Sequence, residues 1–303
     1  MGYESYIKGT LEERFQVTYI NSDEYDEEIL KNYYKSFIKK CFRKIKRDLK
    51  NKDLEKVEQE YYDEMANNIN SDKNAYRYVL CINGHFVPNK LYEYVKNNNP
   101  QAKFILYTWD DVKNLMKTTH FQYFDNRYSY NINDCNNYGM KYLPMFVQGR
   151  AMQHLNNCYD IAFIGTAHSD RISIAKQLLD RYGLSKRVFI YLYSPQQNEY
   201  SFCHTKALSY EEYIEVLRRT NILFDSPSSL QDGPTTRAFD VLLTKTKLAT
   251  TNKNIMDYPV FSDNICIVDK NDIHIPGSFW RQEYIENDYH ALSIEEWMEI
   301  IGL

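Results

Sequence analysis

The residues with the clearest chemical potential lie between Ser226 and Asp240. The run Asn221-Ile-Leu-Phe-Asp225 reads as a buried strand, and Thr235 to Leu243 has the spacing of an amphipathic helix. A polar turn with Asp232, Gly233 and Pro234 separates them. A strand, a Gly/Pro turn and a helix start, in that order, bring free backbone N–H groups and the positive end of a helix dipole to one spot, which favours an anion. Thr235 and Thr236 sit where amides and hydroxyls would meet phosphate. Arg237 is the natural cation for a leaving diphosphate, because a planar guanidinium matches two phosphate oxygens and stabilises charge as the bond breaks. Its competing reading is a helix-surface residue in a salt bridge. Asp232 and Asp240 bracket the turn with seven residues between them. Asp232 also reads as an ordinary turn or N-cap residue.

A second strand-turn-helix start follows the same logic. Asp160-Ile-Ala-Phe-Ile-Gly165 reads as a strand ending in a Gly turn, with a helix from Arg171 to Tyr182. Gly165 and Thr166 permit close backbone approach to a ligand. Arg171 either reaches a diphosphate from that loop or lies exposed in the first helical turn. Earlier in the chain, His85 follows the Asn83-Gly84 turn, and Asp110 ends the run Lys103 to Asp110. Strand C-termini face the ligand crevice in open α/β sheets. His85 and Asp110 are therefore candidate general bases for a hydroxyl. A lone loop histidine is more often a surface residue, and the same holds for Asp110.

The spaced acids and the turn between them resemble the nucleotide-sugar site of GT-B glycosyltransferases. Retaining members carry Glu, seven residues, then Glu. Here both acids are Asp, and Pro234 stands where many members have an aromatic residue or Gly. Asp160 to Arg171 and Lys247-Leu-Ala-Thr-Thr-Asn-Lys-Asn254 resemble segments of bacterial capsule and lipopolysaccharide enzymes of that fold. Leu106 to Asp111 and Phe124 to Tyr130 occur in the same style of protein. The resemblance implies an α/β protein with two Rossmann-like domains facing across a cleft, residues 1–150 for the acceptor and 151–303 for the donor. It implies sugar transfer from a nucleotide-sugar donor to a hydroxyl of a lipid-linked or oligosaccharide acceptor, in surface polysaccharide synthesis. On this resemblance Asp240 accepts ribose hydroxyl protons and Asp232 contacts the donor sugar. The loop from Lys206, with Leu208 and Ser209, holds the base through its backbone. No metal and no cofactor beyond the donor substrate are expected, since arginine and helix N-termini can neutralise the diphosphate. Two alternatives stay open. One is a non-catalytic GT-B homologue that binds a nucleotide sugar or a partner protein, to which the Glu-to-Asp changes give weight. The other is a metal-dependent GT-A transferase using the Asp110–Asp111 pair. The second α/β unit and the C-terminal phosphate motif speak against that one.

The elements that must position these residues alternate along the chain. Met1 to Arg14 reads as a helix and Phe15 to Ile20 alternates like a strand. A doubly wound domain normally opens on a strand and a Gly-bearing turn, so the N-terminal sheet is expected to lack its first strand. Residues 27–70 read as a long helical region. Its apolar stripe, Tyr34 to Leu49, is flanked by Lys39, Lys40, Arg43, Lys44, Lys46 and Arg47. Such a face suits peripheral docking on an anionic membrane through residues 35–50. A core-packed helix with a solvated outer side fits the same pattern. Strands are predicted at 78–84, 103–110, 125–130 and 141–147, with helices at 88–97 and 134–138 between them. A polar segment, 148–159, reads as a linker. The rhythm resumes with strands at 160–165, 187–193, 221–225, 247–251 and 264–269. Capping boxes at Ser209 to Glu212 and Ser293 to Glu296 open two helices. Strands alternating with helices imply parallel sheets.

Composition narrows the classes. With 303 residues, 43% hydrophobic and 26% charged, the chain has room for two soluble domains. A net charge of −4 gives no argument for nucleic acid. The 28 Tyr and 15 Phe go with frequent Asn, Lys and Ile, a bias of AT-rich genes rather than a sign of sugar-stacking surfaces. Six scattered cysteines form no C-x-x-C pair, which fits a reducing cytoplasm and argues against zinc. No run reaches the ~20 apolar residues of a membrane span. The expected location is cytoplasmic, with the basic helix as a means of peripheral contact at the inner face of the plasma membrane.

Overall fold

The computed structural model describes residues 3–21, 59, 62–69, 75–115, 117–167, 169–228, 231–258, 263–286 and 289–303. The basic stretch considered for membrane docking lies outside them, as does most of the 27–70 region; residues 62–69 are helical. The chain is α/β, with two Rossmann-like sheets of parallel strands. It divides into two compact units. The four-stranded unit holds Lys8–Ser129 and Asn137–Lys141; the six-stranded unit holds Met1–Ile7, Tyr130–Asn136 and Tyr142–Leu303.

The four-stranded sheet contains β1 (Tyr78–Ile82), β2 (Lys103–Thr108), β3 (Asn126–Ser129) and β4 (Lys141–Tyr142), in that spatial order. Val79 pairs with Phe104 and Leu106 with Arg127, both in parallel register. Phe104, Ile105, Leu106 and Tyr107 are fully buried. A continuous apolar run of this kind is what a parallel strand covered on both faces needs. The helix Asn89–Asn98 buries Leu91, Tyr92 and Val95. The Tyr92 ring meets Phe124 edge-on at 5.3 Å.

The six-stranded sheet contains β5 (Tyr159–Thr166), β6 (Val188–Tyr193), β7 (Cys203–His204), β8 (Thr220–Asp225), β9 (Lys247–Thr250) and β10 (Ile265–Ile267). Their order is β10-β9-β8-β5-β6-β7, every neighbouring pair parallel. From β5 the chain winds outward through β6 and β7, then returns to β8 beside β5 and winds the other way. Ile161, Phe163, Ile222 and Phe224 point to one face, where Ile174, Ala175 and Leu178 of the helix Ser169–Tyr182 join them in one core. The Phe163 and Phe224 rings cross edge-to-face at 5.4 Å. The helices Tyr210–Leu217 and Arg237–Thr244 pack on the strands with Tyr213, Ile214, Leu217, Ala238 and Phe239 buried. Both predicted capping boxes are formed, at Ser209 with Glu212 and at Ser293 with Glu296. Lys247 opens β9 from within the core. Its ammonium donates to the carbonyls of Phe279 at 2.5 Å and Gln282 at 2.6 Å, closing the end of the short helix Gly277–Arg281.

Two predicted strands turn out differently. Residues 15–20 have no ladder partner and no regular structure. Phe15 meets the Tyr78 ring edge-on at 5.8 Å, and Thr18 Oγ1 accepts from the Tyr76 hydroxyl at 3.2 Å. The alternation there reflects side chains laid on the start of β1, not a strand. The 141–147 run pairs only through Lys141–Tyr142. Pro144 offers no N–H to a ladder, and the Val147 N–H goes to the Leu292 carbonyl at 2.9 Å. Within the six-stranded unit, the 148–158 segment lies against helix ends. Met152 N–H donates to Leu243 at 2.7 Å and Leu155 N–H to Arg218 at 2.8 Å. Among the described residues no strand precedes β1, and no helix is long and apolar enough to cross a membrane.

Candidate functional site

The reversal between β5 and β8 fixes where polar residues gather. In open α/β sheets the strand ends part at such a switch point, and ligands bind in the crevice beyond the carboxyl ends. β5 ends there in Gly165 and Thr166, and β8 ends in Asp225, followed by Ser226. Arg171, in the first turn of the next helix, spans the two ends. Its Nε and Nη2 donate to the Ser226 carbonyl at 3.2 and 3.1 Å, and Nη1 donates to the Thr166 carbonyl at 3.3 Å. Gly165 leaves room for this arrangement: a Cβ on it would stand a tight 3.1 Å from Arg171 Nη1. Ser226 Oγ is within 2.9 Å of Thr251 Oγ1, which ties the loop after β8 to the end of β9.

Arg237 comes to the same place from the helix after the motif turn. Its Nε donates to Asp225 Oδ1 at 2.7 Å, with side-chain exposures of only 10% and 2%. Burial pushes Arg171 down to about 10, and the nearby Arg237 charge pushes the same way; Asp225 and Asp170 oppose them. Burial is the largest single influence on Arg237 and lowers it, but the Asp225 charge and hydrogen bond together with Tyr213 and Asp240 outweigh it, and the net shift is upward. Arg237 is thus ion-paired with Asp225, while Arg171 spends its N–H groups on the Ser226 and Thr166 carbonyls and feels the charges of Arg237, Asp225 and Asp170.

The motif turn is locked from two sides. Asn252 Nδ2 donates to the carbonyls of Asp232 at 3.3 Å and Gly233 at 3.2 Å, so the 247–254 segment holds the 232–233 turn. A Cβ on Gly233 would come within 2.4 Å of the Tyr130 ring. Thr236 is the residue at the helix N-terminus, without a side-chain cap bond to its own helix. The Thr235 hydroxyl is buried and has no hydrogen-bond partner among the described residues. At the helix start the N–H groups of Ala238, Phe239 and Asp240 already donate to the carbonyls of Thr235 and Thr236, at 3.0, 2.9 and 3.0 Å.

Asp240 is fully buried. The Tyr210 hydroxyl donates to its Oδ1 at 3.0 Å. Burial pushes the carboxyl up to about 7, while hydrogen bonds from Tyr210 and Tyr213 and the Arg237 charge pull it back. The phenol of Tyr3 shares this surrounding. Burial raises its pKa far above the ordinary range, the Asp240 charge adds to that, and a hydrogen bond with the Thr236 side chain opposes it. Ser209 is committed to its capping box: Oγ accepts from Glu212 N–H at 3.1 Å, and its own N–H donates to Glu212 Oε2 at 2.8 Å. Leu208 beside it is half-buried.

His85 and Asp110 belong to the four-stranded unit. The His85 ring lies against Phe86, centroids 3.9 Å apart. Asp110 is exposed and its Oδ2 accepts from Asn83 Nδ2 at 2.8 Å. The structure therefore brings Gly165, Thr166 and Arg171 together with Arg237, and gathers Asp240, Thr236 and Tyr210 beside them. It gives Asp110 the Asn83 side-chain amide as a hydrogen-bond donor. Sequence reasoning passed over Asp225, Ser226, Tyr210, Asn252 and Asn83. Asp225 and Asn83 carried a usable signal, a polar residue closing an apolar strand. Tyr210 and Asn252 carried none, because their partners are remote in sequence.

Among the described residues no group of three or more His, Cys, Asp or Glu is placed to hold a metal ion. No protein-family model matches the chain, and no curated protein matches it.

Proposed function

We propose that the chain is a glycosyltransferase of GT-B type whose six-stranded unit binds the nucleotide-sugar donor. The observation that carries this reading is the β5/β8 switch point, where Arg171 on the Ser226 carbonyl and Arg237 on Asp225 come close together beside a Gly-bearing turn and a helix start. That set suits a diphosphate, and Arg237 is the residue whose charge would stabilise it as a leaving group. Thr235 supplies a buried hydroxyl still lacking a partner among the described residues. The acceptor would be a hydroxyl on a saccharide or lipid-linked saccharide, with Asp110 as its general base. Transfer would need no metal and no separate cofactor, and would survive excess chelator. Loss on chelation with rescue by manganese would favour the GT-A alternative.

The burial of Asp240 and the ion pair of Arg237 favour one second reading, a nucleotide-sugar binder that does not transfer. Titration calorimetry with a panel of nucleoside diphosphates and nucleotide sugars, followed by product analysis with candidate acceptors, separates the two. Thr235→Val removes one hydroxyl and keeps the shape. It should weaken diphosphate binding by about 0.5–1.5 kcal/mol, roughly two- to tenfold. If no member of the panel binds the wild-type protein, both readings fall.

A further inference from the structure

Asn83, at the end of β1, is bonded through both its backbone and its side chain. It closes β1 with φ of +56°, and Gly84 follows at +70°. Asn is one of the few side-chain-bearing residues that tolerate the left-handed region. A Cβ on Gly84 would stand 2.2 Å from Cys81 Sγ and 2.4 Å from the Tyr92 hydroxyl, so the turn has one solution. Every polar group of Asn83 is then used. Its N–H donates to the Tyr107 carbonyl at 2.9 Å. Its carbonyl accepts from His120 Nε2 at 2.7 Å. Its Oδ1 accepts the N–H groups of Trp109 at 2.8 Å and Asp110 at 3.2 Å. Its Nδ2 donates to Asp110 Oδ2 at 2.8 Å.

We infer that Asn83 is a positioning residue that sets the orientation and the acidity of the Asp110 carboxyl. The use made of that carboxyl, as a base for an acceptor hydroxyl, rests on the proposed transferase reading. The amide accepts from the backbone N–H of Asp110 and donates to its side chain, so one planar group fixes both ends of the residue. A donated N–H favours the ionised carboxylate, which a base requires. The His120 bond that steadies Asn83 is insensitive to ordinary pH. Burial first, then the charges of Lys117 and His85, hold its imidazole neutral down to about 4, against a hydrogen bond to Asn83 that favours its charge. Other ionisable groups near the turn include the Cys81 thiol and Tyr92 hydroxyl beside Gly84, Asp111, paired with Lys113 at 3.6 Å, and the His85 imidazole.

Asn83→Asp is the discriminating variant. Aspartate keeps the left-handed turn and can still accept the Trp109 and Asp110 N–H groups, but it replaces the donor to Asp110 with a like charge. The carboxyl resonance of Asp110, assigned by its loss in Asp110→Asn, should titrate about one pH unit or more higher in Asn83→Asp. The acid limb of the transfer rate should move up with it, so kcat read on that limb should fall about tenfold, and KM for the donor should stay constant. Asn83→Ser, which can restore one donor, should return part of the effect. An Asp110 titration and an acid limb that stay in place in Asn83→Asp would overturn the inference, as would equal losses in kcat and donor affinity at an unchanged pH profile. A wild-type protein with no transfer would remove the transferase reading, while the carboxyl titration would still decide whether Asn83 governs Asp110.

Discussion

The two sheets of this chain use the same parallel strands and end differently. In the four-stranded sheet, spatial order follows chain order from β1 to β4, so neighbouring strand ends stay side by side. The polar residues there, Asn83 and Asp110, bond across from one strand end to the next. In the six-stranded sheet the winding reverses between β5 and β8. The ends part, and charged side chains from two separate helices, Arg171 and Arg237, converge on what lies between. A strand-end acid is thus an exposed, locally clamped group in one sheet and a buried counter-ion in the other, and the winding decides which.

That contrast implies unequal costs for the same substitution. Asp225→Ala leaves the buried Arg237 without its partner, and should destabilise the fold by about 3–5 kcal/mol. Asp110→Ala removes an exposed carboxylate and should cost within about 0.5 kcal/mol. Urea unfolding of both variants measures the difference. Similar midpoints would break the comparison.

The buried titratable groups of the two units should respond to pH with opposite signs. The Asp240 carboxyl is raised from its ordinary value of 3.8 to about 7, so across that window the folded protein holds a proton the unfolded chain has lost. Its contribution to stability therefore falls as pH rises. The His120 imidazole is lowered from 6.5 to about 4, so across its window the unfolded chain holds the extra proton, and stability rises with pH. At roughly 1.4 kcal/mol for each pH unit that separates folded from unfolded titration, each effect amounts to a few kcal/mol at most. Asp240→Asn should remove a loss between about pH 4 and 7, and His120→Gln should remove a gain between about pH 4 and 6.5. Urea midpoints measured across pH, compared with wild type, read both. Slopes of the same sign would refute the assignment.

A smaller effect sharpens the local side of the comparison. Ser209→Ala removes the N-cap of Tyr210–Leu217 and should cost about 1 kcal/mol. Its helix carries Tyr210 onto Asp240, so thermal melts of this variant should also show a changed pH dependence.

What the sequence made legible was local. The capping boxes at Ser209 and Ser293, the helix starts and the central strands all rest on spacing within a few residues, and the structure has them. Residues 15–20 alternate as a strand would, yet side-chain packing on Tyr76 and Tyr78 produced that alternation. Pro144 cut short the run from Lys141, an override visible only in the ladder pairing. β7 is two residues long, too short for any period to register. The candidate site divides the same way. The Gly/Pro turn at 232–234 and the helix start after it were readable because local residue types alone define them. The partner of Arg237 was not, because Asp225 lies twelve residues earlier and meets it only through the winding of the sheet. Asn83 was read only as part of a turn, since its amide partners sit 26 and 27 residues downstream.

The buried ammonium of Lys247 gives the six-stranded unit an internal clock. With only 1% of the residue exposed and its Nζ gripped by the carbonyls of Phe279 and Gln282, amine-reactive reagents cannot reach it while that segment stays seated. Mass-spectrometric labelling of Lys247 against the exposed lysines would thus time the opening of the segment that covers it.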